Sequence, residues 1–257
     1  MIVRMAYSKY PPKLYTPGVK DPFKLSRSKI DMFVECPRCF YLDRRLGVAR
    51  PSMPGFSLNS AVDTLLKKEF DLLRKKGESH ELMDKYGIDA IPYTHPEIEA
   101  WRDNFTGIQY LHPETNFLLF GAIDDVWIDK QAFLHIVDYK STSTEKEISL
   151  DDQYKIGYKR QMEIYQWLFK SAGHKVGEVG YFVFANASKN RPRFDAKLEF
   201  DLSIIPYAGD TSWVEPIVVR IKETLDADTL PQPGDTCEHC LYSKSRFKAV
   251  SEVSSLK

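Results

Sequence analysis

The chain has 257 residues, of which 43% are hydrophobic and 28% charged, enough for one sizeable core and too apolar for a disordered chain. No run of about 18 apolar residues occurs and the start lacks the charged-then-apolar pattern of a secretory leader, so no membrane span and no export are expected. The formal net charge is zero but uneven: residues 1–60 hold 11 Lys/Arg against 4 Asp/Glu, residues 237–257 hold 4 against 2, and the middle holds 21 against 30. Basic ends around an acidic middle fit a phosphate-backbone partner, and fit an unevenly solvated surface about as well.

Residues 1–25, rich in Pro, Lys and Tyr without a clear period, read as an extended basic arm. A helix is predicted from Ser26 or Ser28, both good N-caps, through KIDMFVE toward Cys36. Arg38, Arg44, Arg45 and Arg50 then form a basic cluster closed by Pro51 and Pro54. Leu58, Val62, Leu65, Leu66, Phe70 and Leu73 recur every three to four residues and predict an amphipathic helix to about Lys75, with a solvated Lys/Glu/Asp face. Residues 76–100 read as a loop or small helical insert, with His80 and His95 as surface residues.

A β-hairpin is expected next: Leu118 to Ile128 as one strand, a turn at residues 129–131, and Phe133 to Tyr139 returning. A helix from Asp151 to Ala172 carries the stripe Tyr158, Met162, Tyr165, Leu168, Phe169 and stops at Gly173. Residues 178–187 and 193–205 read as two strands, and residues 211–228 as a last helix. This order predicts a single α/β domain over residues 26–245. Its core runs from about 55 to 229, residues 26–54 and 230–245 form a cap, and residues 246–257 form a fraying tail.

Alternation along the second hairpin strand puts Asp138 and Lys140 on one face, and the hairpin brings Asp124 beside Asp138. Two carboxylates and a lysine suit a hard divalent cation such as Mg²⁺, which takes one or two carboxylates and fills its shell with water and phosphate oxygens. The lysine can orient the attacking water and offset charge growing on phosphorus, so the stretch reads as a metal-dependent phosphodiesterase site. A second Asp-x-Lys, Asp195-Ala-Lys197, lacks this context. Gln161 and Tyr165, four apart, project from one helix face toward the metal or the nucleic-acid backbone.

The ordered set Gly121-Ala-Ile-Asp124, Asp138-Tyr139-Lys140 and Gln161-x3-Tyr165 resembles the RecB-like branch of the PD-(D/E)XK nuclease superfamily, which includes CRISPR-associated exonucleases and the nuclease domains of AddB-type recombination and repair enzymes. The resemblance implies a restriction-endonuclease-like core, a central mixed sheet flanked by helices, with a terminal cap tied by four cysteines. It implies that Asp124, Asp138 and the Tyr139 carbonyl hold Mg²⁺ or Mn²⁺, that Lys140 is catalytic, and that Gln161 and Tyr165 organise the site and the bound strand. Asp125, in the adjacent register, is taken as surface. Family members carry an N-terminal Gly-x3-His whose histidine also binds metal; the matching Gly55-Phe-Ser-Leu-Asn59 has asparagine, a weaker ligand than imidazole toward Mn²⁺.

Cys36-Pro-Arg-Cys39 and Cys237-Glu-His-Cys240 are the only cysteines. Without an export signal they indicate a reducing, cytoplasmic setting and a shared metal site stapling the two ends, not disulfides. By count, tetrahedral Zn²⁺ and an iron–sulfur cubane fit equally. Iron–sulfur members of the family, with one N-terminal and three C-terminal cysteines, favour a [4Fe-4S] cluster with Zn²⁺ as the alternative, though Arg246 stands near where a further cysteine is expected. The expected function is a metal-dependent deoxyribonuclease, an exonuclease on single-stranded DNA or frayed duplex ends. The alternatives are a DNA-binding module of the same fold without turnover, and a zinc-stabilised protein-interaction module.

Overall fold

A computed structural model describes residues 13–51 and 55–254. Strand β1 (Phe23–Ser26) leads into helices α1 (Arg27–Glu35) and α2 (Pro37–Arg44). Cys36 ends the first helix and caps the second: its sulfur accepts from the Cys39 amide, and Pro37 takes the position where a missing N–H costs nothing. Helix α3 (Ser57–Lys76) stops at Gly77, whose φ of +70° a side chain would disfavour. Then follow α4 (Glu81–Lys85), β2 (Ala90–Pro92), α5 (Ile98–Arg102), β3 (Ile108–His112), β4 (Phe117–Gly121), β5 (Asp125–Asp129) and β6 (Leu134–Thr142). A 3-10 turn (Gln153–Lys155), α6 (Ile156–Ser171), β7 (Val179–Ala187), β8 (Phe200–Ala208), α7 (Val214–Asp226) and α8 (Glu238–Ser254) complete the order.

The described residues gather into two units, one within residues 13–51, 111–118 and 215–254, the other within 55–110 and 119–214. In the first, Tyr15 meets Phe23 and Phe117 edge-on at 5.2 and 6.1 Å, and its hydroxyl donates to Asp226 at 2.5 Å. Helix α8 buries none of its side chains and runs through Arg246 to Ser254, where a fraying tail was expected. Among the described residues, no helix is long and apolar enough to cross a membrane.

The second unit holds a mixed sheet of order β2-β5-β6-β7-β8, antiparallel throughout except for the parallel pair β6–β7. On one face Leu66 and Phe70 of α3 and Met83 of α4 pack on Trp127, Val137, Tyr139 and Val183. Phe70 lies between the His80 and Trp127 rings at 5.0 and 5.5 Å, and truncating such a ring costs about 3–5 kcal/mol. On the opposite face α6 buries Met162 through Phe169, and a side chain at Gly180 would strike the Met162 sulfur.

Several expectations are corrected. The strand expected from Leu118 to Ile128 is two: β4 ends at Gly121, whose carbonyl lies against Gly107 too closely for a side chain there, and the Ile123 amide turns aside to the Trp101 carbonyl at 3.0 Å. Strand β5 starts only at Asp125. The last strand begins at Phe200, not at residue 193, because Asp195 and Ala196 both take φ of +52° in a turn; the second Asp-x-Lys is therefore not on a strand. Helix α6 starts at Ile156 after the 3-10 turn, later than Asp151. His80 is buried: its Nδ1 accepts the Leu82 amide as a helix cap and its Nε2 meets Glu69 at 2.8 Å.

Asp125, expected at the surface, is fully buried. Its Oδ1 lies 2.5 Å from Arg74 Nη2 and 3.0 Å from Arg102 Nη2, the latter an ion pair without hydrogen-bond alignment, and its Oδ2 accepts the Tyr139 hydroxyl at 2.8 Å. Arg102 also donates from Nε to the Asp124 carbonyl at 3.0 Å and pairs with Asp71 at 2.9 Å, so this network fixes the start of β5. Removing one member leaves buried charge uncompensated, which costs about 3–5 kcal/mol. Asp125→Ala is expected to lower stability by about that amount in urea unfolding. A loss below about 1 kcal/mol, the scale of an exposed ion pair, would contradict the role given to this network.

Candidate functional site

Because β5 begins at Asp125, paired with Val137, no strand among the described residues lies beside β6 on that side from Asp138 onward. The Tyr139 amide there donates instead to Asp124 Oδ2 at 2.9 Å, so a carboxylate stands in for a ladder partner. A cavity of about 310 Å³ opens at this place. Its walls include Asn59 and Asp63 of α3, Asp124 at the bend before β5, Tyr139 and Lys140 of β6, and Tyr158 and Gln161 of α6.

Asp138 is buried and forms an ion pair with Lys140. Gln161 Nε2 donates to Asp138 Oδ1 at 2.8 Å, and Gln161 Oε1 accepts from Lys140 Nζ at 3.4 Å, so the amide fork bridges acid and amine. Neither Asp138 nor Tyr165 lines the cavity: Asp138 lies under its contacts with Lys140 and Gln161, and the Tyr165 hydroxyl donates to the Ala122 carbonyl, bracing the bend that carries Asp124. The Tyr139 ring lies in the core while its amide reaches the cavity.

Burial alone would lower the pKa of Lys140, but the charges of Asp138 and Asp124 outweigh it and raise the value, so the amine stays an ammonium at neutral pH. It cannot take a proton from water in that form; it can supply positive charge, and it also lies 4.6 Å from the Tyr158 ring centre.

Two residues in this cavity region were read only as part of a solvated helix face. Asp63 Oδ2 accepts from Lys67 Nζ at 2.9 Å, and the same ammonium lies 3.3 Å from Asp124 Oδ1. Burial and then the Asp124 charge push the Asp63 carboxyl above its ordinary range. Asn59, Asp63 and Lys67 are spaced four apart along α3, the interval that could have singled them out as one functional line. Asp63 and Asp124 offer oxygen donors, which suit a hard cation, and the Lys67 ammonium bridges the two carboxylates. Among the described residues, only the four cysteines bring three or more ligating side chains within 4.8 Å of one another.

In the other unit, the sulfurs of Cys36, Cys39, Cys237 and Cys240 all lie within 4.8 Å of one another. The separations are 3.5 Å for Cys39–Cys237, 3.6 Å for Cys39–Cys240 and 3.7 Å for Cys36–Cys240. Four bonds of about 2.3 Å to one tetrahedral ion require sulfurs about 3.8 Å apart. A cubane, in which each sulfur takes a different iron, needs them farther apart. A side chain at Gly234 would strike the Glu35 carbonyl, so the glycine lets its amide reach Cys36 at 3.3 Å. Burial raises the Cys36 pKa, but this amide, that of Cys39 and the neighbouring thiols outweigh it and bring the value to about 7. Burial, with neighbouring sulfurs adding to it, raises Cys39 and Cys240.

The sequence profile of the PD-(D/E)XK nuclease superfamily matches residues 24–245. Among solved structures, the chain is similar to the crystal structure of SSO0001 at 16% identity, covering 88% of this chain and 86% of that one, with a TM-score of 0.37, too loose a likeness to bear on the site. No curated protein matches the chain.

Thiolates bind metal, so Cys39 and Cys240 must lose protons on loading. Adding Zn²⁺ to the reduced, metal-free protein at pH 7 is expected to release at least those two protons, seen by calorimetry in buffers of different ionisation heat, with affinity falling as pH drops. Binding without proton release would contradict a thiolate site.

Proposed function

This chain belongs to the PD-(D/E)XK nuclease superfamily, and from that premise we propose that it is a metal-dependent deoxyribonuclease of the RecB-like branch, acting as an exonuclease on single-stranded DNA or frayed duplex ends. The observation that carries the reading is the cavity at the open β6 edge, lined by Asp124, Lys140 and Gln161, the last two of which hold the buried Asp138 by an ion pair and a hydrogen bond. Asp124, Asp138 and the Tyr139 carbonyl are the proposed holders of Mg²⁺ or Mn²⁺, which when bound would polarise the phosphate and lower the pKa of an attacking water.

The remaining roles belong to the chain's own side chains. Lys140, kept protonated by Asp138 and Asp124, places positive charge where negative charge grows on phosphorus. Gln161 holds Asp138 and Lys140 in register, and Tyr165 acts at one remove by bracing the Ala122 carbonyl. The exonuclease assignment rests on the likeness of the motif set to exonucleases of that branch. For the four cysteines, the sulfur spacing favours one tetrahedral Zn²⁺ over the [4Fe-4S] cluster, and the centre is read as structural. A purified protein that is colourless and holds about one zinc per chain supports this, whereas a brown protein holding iron and sulfide contradicts it.

The activity is tested with end-labelled single- and double-stranded DNA in Mg²⁺, Mn²⁺ or EDTA. Cleavage is expected only with the divalent ion, to be lost in Asp138→Asn, and to fall on the order of 10²–10³-fold in Lys140→Met, as when one charge-stabilising donor is removed. A wild-type protein that binds DNA in EDTA and never cuts it would favour the non-catalytic module. Full cleavage by both variants would refute the site.

A further inference from the structure

We propose that Tyr158 is a positioning residue for Lys140: the face of its ring holds the ammonium at the cavity by a cation–π contact, and it acts on the substrate only through that lysine. This role rests on the reading of the cavity as a nuclease site and deepens it.

Lysine is a compact charge on a flexible four-carbon stem, so a site that needs the charge in one place must supply walls for it. Two of these walls are polar: Asp138 forms an ion pair with the ammonium, and Gln161 Oε1 accepts from Nζ at 3.4 Å. The Tyr158 ring supplies a third, its centre 4.6 Å from Nζ, within the reach at which a cation is drawn to an aromatic face. Tyr158 and Gln161 stand three apart on α6, so both side chains leave the helix on one face, and both line the cavity.

The ring is itself backed by the sheet. In the parallel pairing of β6 with β7, Asp138 lies opposite Phe182 and Lys140 opposite Phe184. Both phenylalanines are buried, and the Tyr158 and Phe182 ring centres lie 6.4 Å apart. The Lys140 side chain, 15% exposed, is largely withdrawn from water beside these rings, and a cation–π contact strengthens as the cation is desolvated.

The three walls differ in what weakens them. The ion pair loses strength when the Asp138 carboxylate serves another cation, because its charge is then shared. The attraction of a neutral ring does not depend on the charge at Asp138. Tyr158 and Gln161 therefore keep the ammonium in place while Asp138 is otherwise engaged, which is when charge growing on phosphorus calls for it.

Two measurements on the full chain test this. In the metal-free protein with isotope-labelled lysine, the Lys140 signal is identified by its loss in Lys140→Met. The Tyr158 ring current is expected to displace its Cε protons upfield, a displacement lost in Tyr158→Leu and kept in Tyr158→Phe. In DNA cleavage with Mg²⁺, Tyr158→Leu is expected to lower kcat about 5- to 30-fold with KM little changed, the loss of a contact worth about 1–2 kcal/mol. Tyr158→Phe should restore most of that loss, and adding Tyr158→Leu to Lys140→Met should cost no further activity. A Lys140 signal indifferent to Tyr158→Leu, a phenylalanine no better than leucine, or a further loss in the double variant would overturn the role of Tyr158 and leave the nuclease reading standing. A wild-type chain that never cuts DNA with either divalent ion would refute the nuclease reading and the role with it, whatever the lysine signal shows.

Discussion

The hydrogen bond from the Tyr139 amide to the Asp124 carboxylate is the contact on which the site depends. A central strand normally spends that amide on its neighbour. Here β4 ends at Gly121, the chain bends, and β5 resumes only at Asp125, so one edge of β6 is left open where Asp138 and Lys140 stand. The Asp124 carboxylate satisfies the amide with one oxygen and leaves the other toward Lys67. A continuous strand would have paired the edge and closed the cavity.

That opening is held by buried charge. Asp125, next along the chain, is clamped by Arg74 and Arg102 and takes the hydroxyl of the same Tyr139 whose amide serves Asp124. Adjacent aspartates thus divide the work: one is buried and fully paired, and the other is partly exposed at the cavity. The division follows the strand's start: Asp125 opens β5 and turns into the buried network, whereas Asp124 stands on the bend before it and reaches the cavity.

Much of this was legible in the sequence. The alternation around Asp138 and Lys140 put both on one face. The spacing of Gln161 and Tyr165 put the two together on a helix face toward the metal or the backbone, whereas in the structure Gln161 bonds Asp138 and Lys140 and Tyr165 turns to the Ala122 carbonyl. The mixed sheet flanked by helices follows from the motif set and agrees with the superfamily match. What sequence periodicity missed is tertiary. An apolar run such as residues 118–128 gives no sign that Gly107 presses on Gly121 and breaks the strand. Asp125 reads as a surface acid because its arginine partners lie 51 and 23 positions away in the chain. His80 reads as a loop residue because stacking on Phe70 and capping α4 are not periodic features. Asp63 and Lys67 were hidden in a charged helix face that differs from a solvated one only through what it meets.

The central claim is that the carboxylates of Asp124 and Asp138 share one cation at the open edge of β6. Anomalous diffraction at the manganese edge, from crystals of the full chain grown with Mn²⁺, tests it most directly. The account predicts a peak bounded by Asp124, Asp138 and the Tyr139 carbonyl, with Lys67 withdrawn from Asp124. A cavity without a peak at saturating Mn²⁺, or manganese lodged away from both aspartates, would contradict it.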